Sequence, residues 1–538
     1  MNKKKNQKIF HPFLVAVFPI LIIYSQNIGR VNFEDLLLPI VLMSIFTVGF
    51  YYILKIILKN PFKTALIVTI TLIFLFSYGH VYYLLNDVSI NGFDIGRNIY
   101  LIPSFGLMLG IFIFFAVKAK RVFDNATSIL NVVSIVFVIV ALSNVILVAG
   151  EISSCDQCSN QELFYETKDF SNYFEPHKFS ILENQVRPNV YYLILDEYAR
   201  NDVLLEYHNF SNDKFTEFLE NTGFNVAKNS FANYPMSIQS IPSTMNMNYI
   251  NFLADEIGSE VRNYKPLNEK IHGLYPNNMV IKNFKEMDYN IITFNTFALH
   301  PNEIPLSDEI FCHRDKFLLD NRLVDVLART SVFGYYIERW AESEIRQVTL
   351  CAFENFGSSG KVFDKPVFVW AHIMLPHPPW VFGPNGEEIT PGKPLLLTDN
   401  PDFRDSGWEP KKQYIQQVQF ANKKTIETIE NILEHDKNSI IIIQSDHGSG
   451  FDIDWENPDA SMILQRLSIL NAYYVPEISE NQFYENITPV NSFRIIFNNY
   501  FNTNYKILED RNYWNNADTP WDFHDVTEII GINIKKQE

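Results

Sequence analysis

Five apolar runs crowd the first 150 residues, and nothing else in the sequence restricts folding as strongly. They are roughly Phe10 to Tyr24, Leu36 to Leu58, Thr64 to Leu85, Asn98 to Val117 and Ile129 to Ala149. A helix rising about 1.5 Å per residue needs about 20 apolar residues to cross a hydrocarbon core of about 30 Å, so these runs predict five transmembrane helices. The first is the weakest, being short and carrying His11, Pro12 and Pro19. A cleaved signal peptide is the competing reading, disfavoured because no small-residue cleavage site closes that run.

Charge predicts the orientation. Residues 1–150 hold 12 Lys and Arg against 5 Asp and Glu, net +7, which leaves 32 against 56, net −24, for the rest of the 538-residue chain. Within the first part the cations alternate between connections. Four lysines precede the first run, Lys55, Lys59 and Lys63 surround the second connection, and Lys118, Lys120 and Arg121 the fourth. The other two connections offer only Arg30 and Arg97. Cationic loops stay in the cytoplasm, so five spans would place everything after residue 150 outside a plasma or inner membrane. The apolar runs hold few ionisable groups beyond His11, Lys55 and His80, which favours an anchor over a transporter. All four cysteines, Cys155, Cys158, Cys312 and Cys351, fall in the exported part, where one or two structural disulfides are expected.

Residues 151–186 are polar and irregular and read as a tether; 187–538 read as the functional domain. There "VYYLIL" runs directly into Asp196, and the same design returns in "KPVFVWAHIMLPHPPW", "NSIIIIQSDHG" and, more weakly, "YNIITFNT". Short, continuously apolar runs suit strands buried on both faces. Helical stretches such as Lys214 to Asn221 and Lys412 to His435 lie between them, so the expected fold is α/β, a mostly parallel sheet covered by helices on both faces. Ligands of such sheets bind at the carboxyl ends of strands.

Those ends carry Asp196, His372 with His377, and Asp446 with His447. Converging carboxylates and imidazoles suit a divalent ion, zinc or manganese, with one or two ions open. A lone Asp-His-Gly triplet could equally cap a helix. In "NSFANYPMSIQSIPSTMN", Tyr234-Pro235 signals a turn and places Ser237 where a helix begins, near backbone N–H groups that favour an alkoxide and a bound anion. Ser237, Ser240, Ser243 and Thr244 could instead be caps and small packing residues.

The order "PNVYYLILDEYAR", "NYPMSIQSIPSTMN", "HIMLPHPPW", "QSDHG" resembles the alkaline phosphatase superfamily, in particular its membrane-anchored sulfatase-like branch of lipoteichoic acid synthases and phosphoethanolamine transferases. The resemblance covers roughly residues 187 to 500 and extends to the architecture of five membrane helices before an exported catalytic domain. It implies Asp196, Asp446 and His447 as metal ligands, with Ser237 both a ligand and the metal-activated nucleophile. His377 would contact substrate phosphate or the leaving group; His372 has no firm counterpart in the branch and reads as a substrate-side residue, behind the ligands or in a second metal site. Serine replaces the branch's usual threonine. The Cys/Ser-x-Pro-x-Arg sulfatase signature and the Asp-x-x-x-His pair of a two-zinc site are absent.

The implied function is transfer of a phospho-alcohol group, phosphoethanolamine or phosphoglycerol, from a membrane lipid donor to a glycan or lipid acceptor through phospho-Ser237. Hydrolysis of phosphate or sulfate esters by the same residues is the first alternative, and a non-catalytic envelope binding protein the second. A net charge of −24 makes nucleic acid an unsuitable partner. Oligomeric state is not legible.

Overall fold

The computed structural model describes residues 8–28, 31, 33–85, 88–90, 93–119, 123–154, 174, 176, 187–257, 272–295, 304–312, 321–389, 409–476 and 482–531. Most of the expected tether, with Cys155 and Cys158, lies outside them. The chain divides into two units, Met1–Leu163 with Asp315–Ala341, and Phe164–Arg314 with Glu342–Glu538.

The first unit is helical: α1 (His11–Ser25), α2 (Leu37–Leu58), α3 (Pro61–Leu85), α4 (Asn98–Lys118) and α5 (Asp124–Ser154). Among the described residues four stretches are long and apolar enough to cross a membrane, Phe33–Leu58, Pro61–Tyr82, Asn98–Lys118 and Asp124–Val148. The expectation of five spans is corrected to four. α1 has 15 residues, about 22 Å of helix against a core of about 30 Å. It buries Ala16, Ile20 and Tyr24, one face at four-residue spacing, with Tyr51 of α2 and Ala65, Val68 and Leu72 of α3. Its start is satisfied from α5, where Asn131 Oδ1 accepts from the backbone N–H groups of Phe10 (2.9 Å) and His11 (3.0 Å).

The second unit is built on a seven-stranded sheet, numbered here within that sheet: β1 (Val190–Leu195), β2 (Asn225–Val226), β3 (Asn290–Phe294), β4 (Glu309–Phe311), β5 (Val367–Ile373), β6 (Ile440–Gln444) and β7 (Asn471–Tyr474). Their spatial order is β2-β7-β6-β1-β5-β3-β4. β1, β3, β4, β5 and β6 pair in parallel, while β7 is antiparallel to both its neighbours. The four apolar runs named from sequence are β1, β3, β5 and β6. The two helical stretches fall inside helices Asp213–Thr222 and Pro410–His435.

Alternation along the central strands feeds two separate cores. Tyr191, Leu193 and Leu195 of β1 join Ile441 and Ile443 of β6 and Val369 and Ala371 of β5 on one face. Val190, Tyr192 and Ile194 join Ile440, Ile442, Phe368 and Trp370 on the other. Period-two side chains that are apolar at every position can only be satisfied this way. Each fully buried isoleucine contributes about 1.5–3 kcal/mol, so the strands leading to the site are held by burial on both faces. One disulfide joins Cys312, just past β4, to Cys351 in the helix Gly334–Phe356.

Candidate metal centre and active site

Strand register assembles the site. Ile194 of β1 lies opposite His372 of β5 on one side and Gln444 of β6 on the other. Two residues beyond Ile194 and Gln444 come Asp196 and Asp446, so two carboxylates reach the level of His372. His372 Nε2 is 3.1 Å from Asp196 Oδ2 and 3.7 Å from Asp446 Oδ2. His447 Nε2 stands 3.6 Å from both Asp196 Oδ1 and Asp446 Oδ2. One ligand atom each from Asp196, His372 and Asp446 lies within 4.8 Å of the others. All four residues are buried, His447 completely.

Hydrogen-bond accounting shows what the cluster lacks. Asp446 Oδ1 accepts from the backbone N–H groups of His447 (2.9 Å) and Glu197 (3.2 Å), and Asp196 Oδ2 is bonded to His372. Asp446 Oδ2 and Asp196 Oδ1 have no hydrogen-bond partner. Two buried carboxylate oxygens facing each other's charge without a donor are costly, and a divalent cation is the group that would compensate them. The donor set fits such an ion. His447 Nδ1 lies 3.1 Å from the Gly448 carbonyl, which can only accept, so Nδ1 keeps a proton, and Nε2, on losing its own, turns a lone pair to the carboxylates.

Electrostatics agree. Burial pushes the Asp196 carboxyl up, but the charge of His377, the bond and charge of His372, and the charge of His447 together hold it well below the usual carboxylate range. Burial pushes His372 down, and the bond and charge of Asp196 with the charge of Asp446 more than reverse this, leaving it raised.

Ser237 is the first residue of α6 (Ser237–Met245), preceded by extended Met236. Its Oγ lies 3.2 Å from His447 Nε2. The short helix is fixed from both sides. Ser240 Oγ donates to the Asp446 carbonyl (2.6 Å), and Arg466 Nε donates to the Pro235 carbonyl (2.7 Å). The candidate nucleophile therefore combines a helix N-terminus with the ligand cluster. His377 adjoins through its backbone N–H, which donates to the Asp196 carbonyl (3.2 Å). Its Nδ1 is 2.6 Å from the Pro378 carbonyl, which sets the tautomer. Gln417 of α7 (Pro410–His435) steadies this loop by donating to the Pro376 and His377 carbonyls (3.1 and 3.2 Å).

The structure thus brings Asp196, Ser237, His372, Asp446 and His447 together, with His377 beside them. Sequence reasoning missed Glu197 and Arg466. Glu197 has φ of 64°, an uncommon conformation for a residue with a Cβ, of the kind found at functional sites. Its Oε1 accepts from the Gly450 N–H (2.8 Å) and lies 3.5 Å from Arg466 Nη1. Arg466, on α8 (Ala460–Leu467), is fully buried and places Nη2 3.3 Å from His447 Nε2. The one legible signal was Glu197's position directly after Asp196. Gly448 is also obligatory, since a Cβ there would meet the Gln465 carbonyl oxygen at 2.4 Å.

No protein-family model matches the chain, and no curated protein does. Solved structures do resemble it. The C-terminal periplasmic domain of EcEptC from Escherichia coli, in complex with Zn, is similar at 11% identity and a TM-score of 0.38, over 64% of this chain and 94% of that one. The integral membrane lipooligosaccharide phosphoethanolamine transferase A (EptA) from Neisseria meningitidis is similar at 12% identity and a TM-score of 0.36, over 89% and 92%. The phosphonate monoester hydrolase of Agrobacterium radiobacter is similar at 12% identity and a TM-score of 0.37, over 61% and 80%.

Proposed function

We propose that the chain is a divalent-metal-dependent transferase of phospho-alcohol groups, of phosphoethanolamine or phosphoglycerol type, anchored in the membrane with its sheet-containing unit outside the cytoplasm; with α2 to α5 as the four spans, the connections carrying Lys59 and Lys63 and Lys118, Lys120 and Arg121 take the cytoplasmic side and the chain after α5 the other. The observation that carries this reading is the pair of partnerless carboxylate oxygens, Asp196 Oδ1 and Asp446 Oδ2, facing His447 Nε2 with a helix-N-terminal hydroxyl 3.2 Å from that nitrogen. Asp196, Asp446 and His447 would hold the ion, zinc or manganese, with His372 and Ser237 Oγ adjoining. Bound there, it supplies positive charge that lowers the serine hydroxyl's pKa and stabilises charge on phosphoryl oxygens.

The chain's own residues do the rest. Ser237 Oγ, its proton released to solvent, attacks the phosphorus of a phospholipid headgroup, forming a new P–O bond as the bond to the diacylglycerol oxygen breaks. The first amides of α6 face the phosphoryl oxygens. His377, its Nδ1 committed to Pro378, donates a proton from Nε2 to the leaving diacylglycerol oxygen. A glycan or lipid hydroxyl, losing its proton to His377 Nε2, then attacks the phosphorus held on Ser237; the bond from phosphorus to the serine oxygen breaks, and that oxygen takes up a proton from solvent. The test is mass spectrometry of the full chain after incubation with phosphatidylethanolamine membranes. A headgroup phosphate adduct on Ser237, discharged by a glycolipid acceptor, is expected. Active protein that never carries the adduct sinks the reading, and headgroup release unaffected by any acceptor makes the enzyme a hydrolase.

A further inference from the structure

The first unit contains a segment from the middle of the sequence. Helix Arg322–Arg329 buries Leu323 and Leu327 in the same cluster as α1, α2 and α3. Asn321 Nδ2 donates to the Asp35 carbonyl (2.9 Å), just before α2. Thr330 O accepts from Gly79 N (3.0 Å), and Val332 N donates to Leu75 O (3.3 Å), so the chain is bonded at both groups of one i, i−4 pair of α3. This approach requires glycine, because a Cβ at position 79 would lie 2.3 Å from Thr330 O.

The docking point has a definite depth. Gly79 follows Pro61 by 18 residues, about 27 Å of helix, so it stands near the far edge of a hydrocarbon core of about 30 Å entered at Pro61. The Pro61 end is marked by Lys63, whose Nζ donates to the Val117 and Ala119 carbonyls (2.8 and 2.6 Å) at the end of α4. The docked stretch thus lies at the end of α3 opposite Lys63. Immediately after it come Phe333, Tyr336 and Trp340, exposed by 57%, 60% and 40%. Helix Gly334–Phe356 begins here, and three- and four-residue spacing sets the three rings on one stripe.

We propose that Phe333, Tyr336 and Trp340 form an interfacial anchor that sits in the headgroup region of the outer leaflet. Large rings with polar edges suit that boundary, where one side is apolar and the other wet. Arg339, whose guanidinium carbon lies 5.6 Å from the Tyr335 ring centre, adds a cation that matches anionic lipid. The occupant is lipid because the stripe directly follows a stretch bonded to α3, a helix long and apolar enough to span a bilayer, at the depth where that bilayer would end; the inference rests on that membrane reading.

The test uses the full chain with Cys155→Ser and Cys158→Ser, reconstituted in phosphatidylethanolamine–phosphatidylglycerol vesicles. Nitroxides are placed one at a time at Phe333→Cys, Tyr336→Cys, Ile45→Cys on α2 and Ile507→Cys in the second unit. The ratio of collisions with oxygen to collisions with an aqueous nickel complex is expected to be highest at 45, intermediate at 333 and 336, and lowest at 507. A ratio at 333 and 336 equal to that at 507, with 45 still high, overturns the anchor alone. A low ratio at 45 overturns the membrane reading and the anchor with it. Wild-type protein labelled by an apolar photoreactive probe gives a second readout, and label in α2 without label between residues 333 and 340 also overturns the proposal.

Discussion

Gln444 and Asp446 stand two residues apart at the end of β6, both buried, and their surroundings treat them in opposite ways. Gln444 Oε1 accepts from Tyr192 Oη (2.7 Å), while Nε2 faces Asn471 Oδ1 (3.0 Å), Ser492 Oγ (3.1 Å) and Tyr473 Oη (3.4 Å). Asp446 has one oxygen satisfied twice and the other not at all. A closed polar network stiffens the sheet, whereas an open one in the same low-dielectric interior signals a missing partner. The contrast separates the part of β6 that holds the fold from the part that holds chemistry.

The largest effect that could break this division is at the open end. Ser237→Ala should lower turnover by about a thousandfold or more while leaving the thermal midpoint unchanged, because the serine touches the site and little else. An assay of headgroup transfer beside a melting curve checks both halves. Chelation should abolish transfer, and restoring the ion at 100 times its dissociation constant should stabilise the protein by about 2.7 kcal/mol. The same titration on Asp446→Asn should show no such rise.

At the closed end the signs reverse. Gln444→Leu strands the hydroxyls and amide it had joined and should cost about 1–3 kcal/mol by urea unfolding. In ion-free protein Asp446→Asn should instead be neutral or stabilising, since it removes a buried charge from a pair of like charges. If both variants destabilise equally, the division between the two ends of β6 fails.

The smallest effect is in pH. The His372 pKa is raised above its ordinary value of 6.5, so ion-free protein has this contribution in full below that value and loses it as pH rises through the raised one. The Asp196 pKa is depressed, so its contribution is present above the ordinary carboxylate range and is lost only as pH falls far below it. Ion affinity should run the other way, strengthening with pH as the imidazoles lose their protons. Melting curves from pH 6 to 9, with and without the ion, should therefore diverge toward the alkaline side.

Much of this was legible because it depended on short-range pattern. Unbroken apolar runs ending in Asp196, His372 and Asp446 state both that the strand is buried twice over and where its polar end lies. Ser237 was legible from the turn before it. Arg466 was not, since a lone arginine on a helix reads as solvated until tertiary packing buries it against Pro235 and Gly448. The antiparallel course of β7 was equally hidden, because an apolar strand reads the same in either direction. α1 was counted as a span on composition, and its length decided otherwise.

One consequence concerns how such a protein can be made in pieces. Asp315–Ala341 belongs with the helices although it is encoded between β4 and β5. A gene cut at residue 186 would yield a product carrying Leu323 and Leu327 with no surface to cover them, while the remaining fragment would lose the stretch docked at Gly79. Neither half is self-contained for expression. Any soluble version of the second unit has to deal with the excursion Asp315–Ala341 as well as with the helices that precede residue 186.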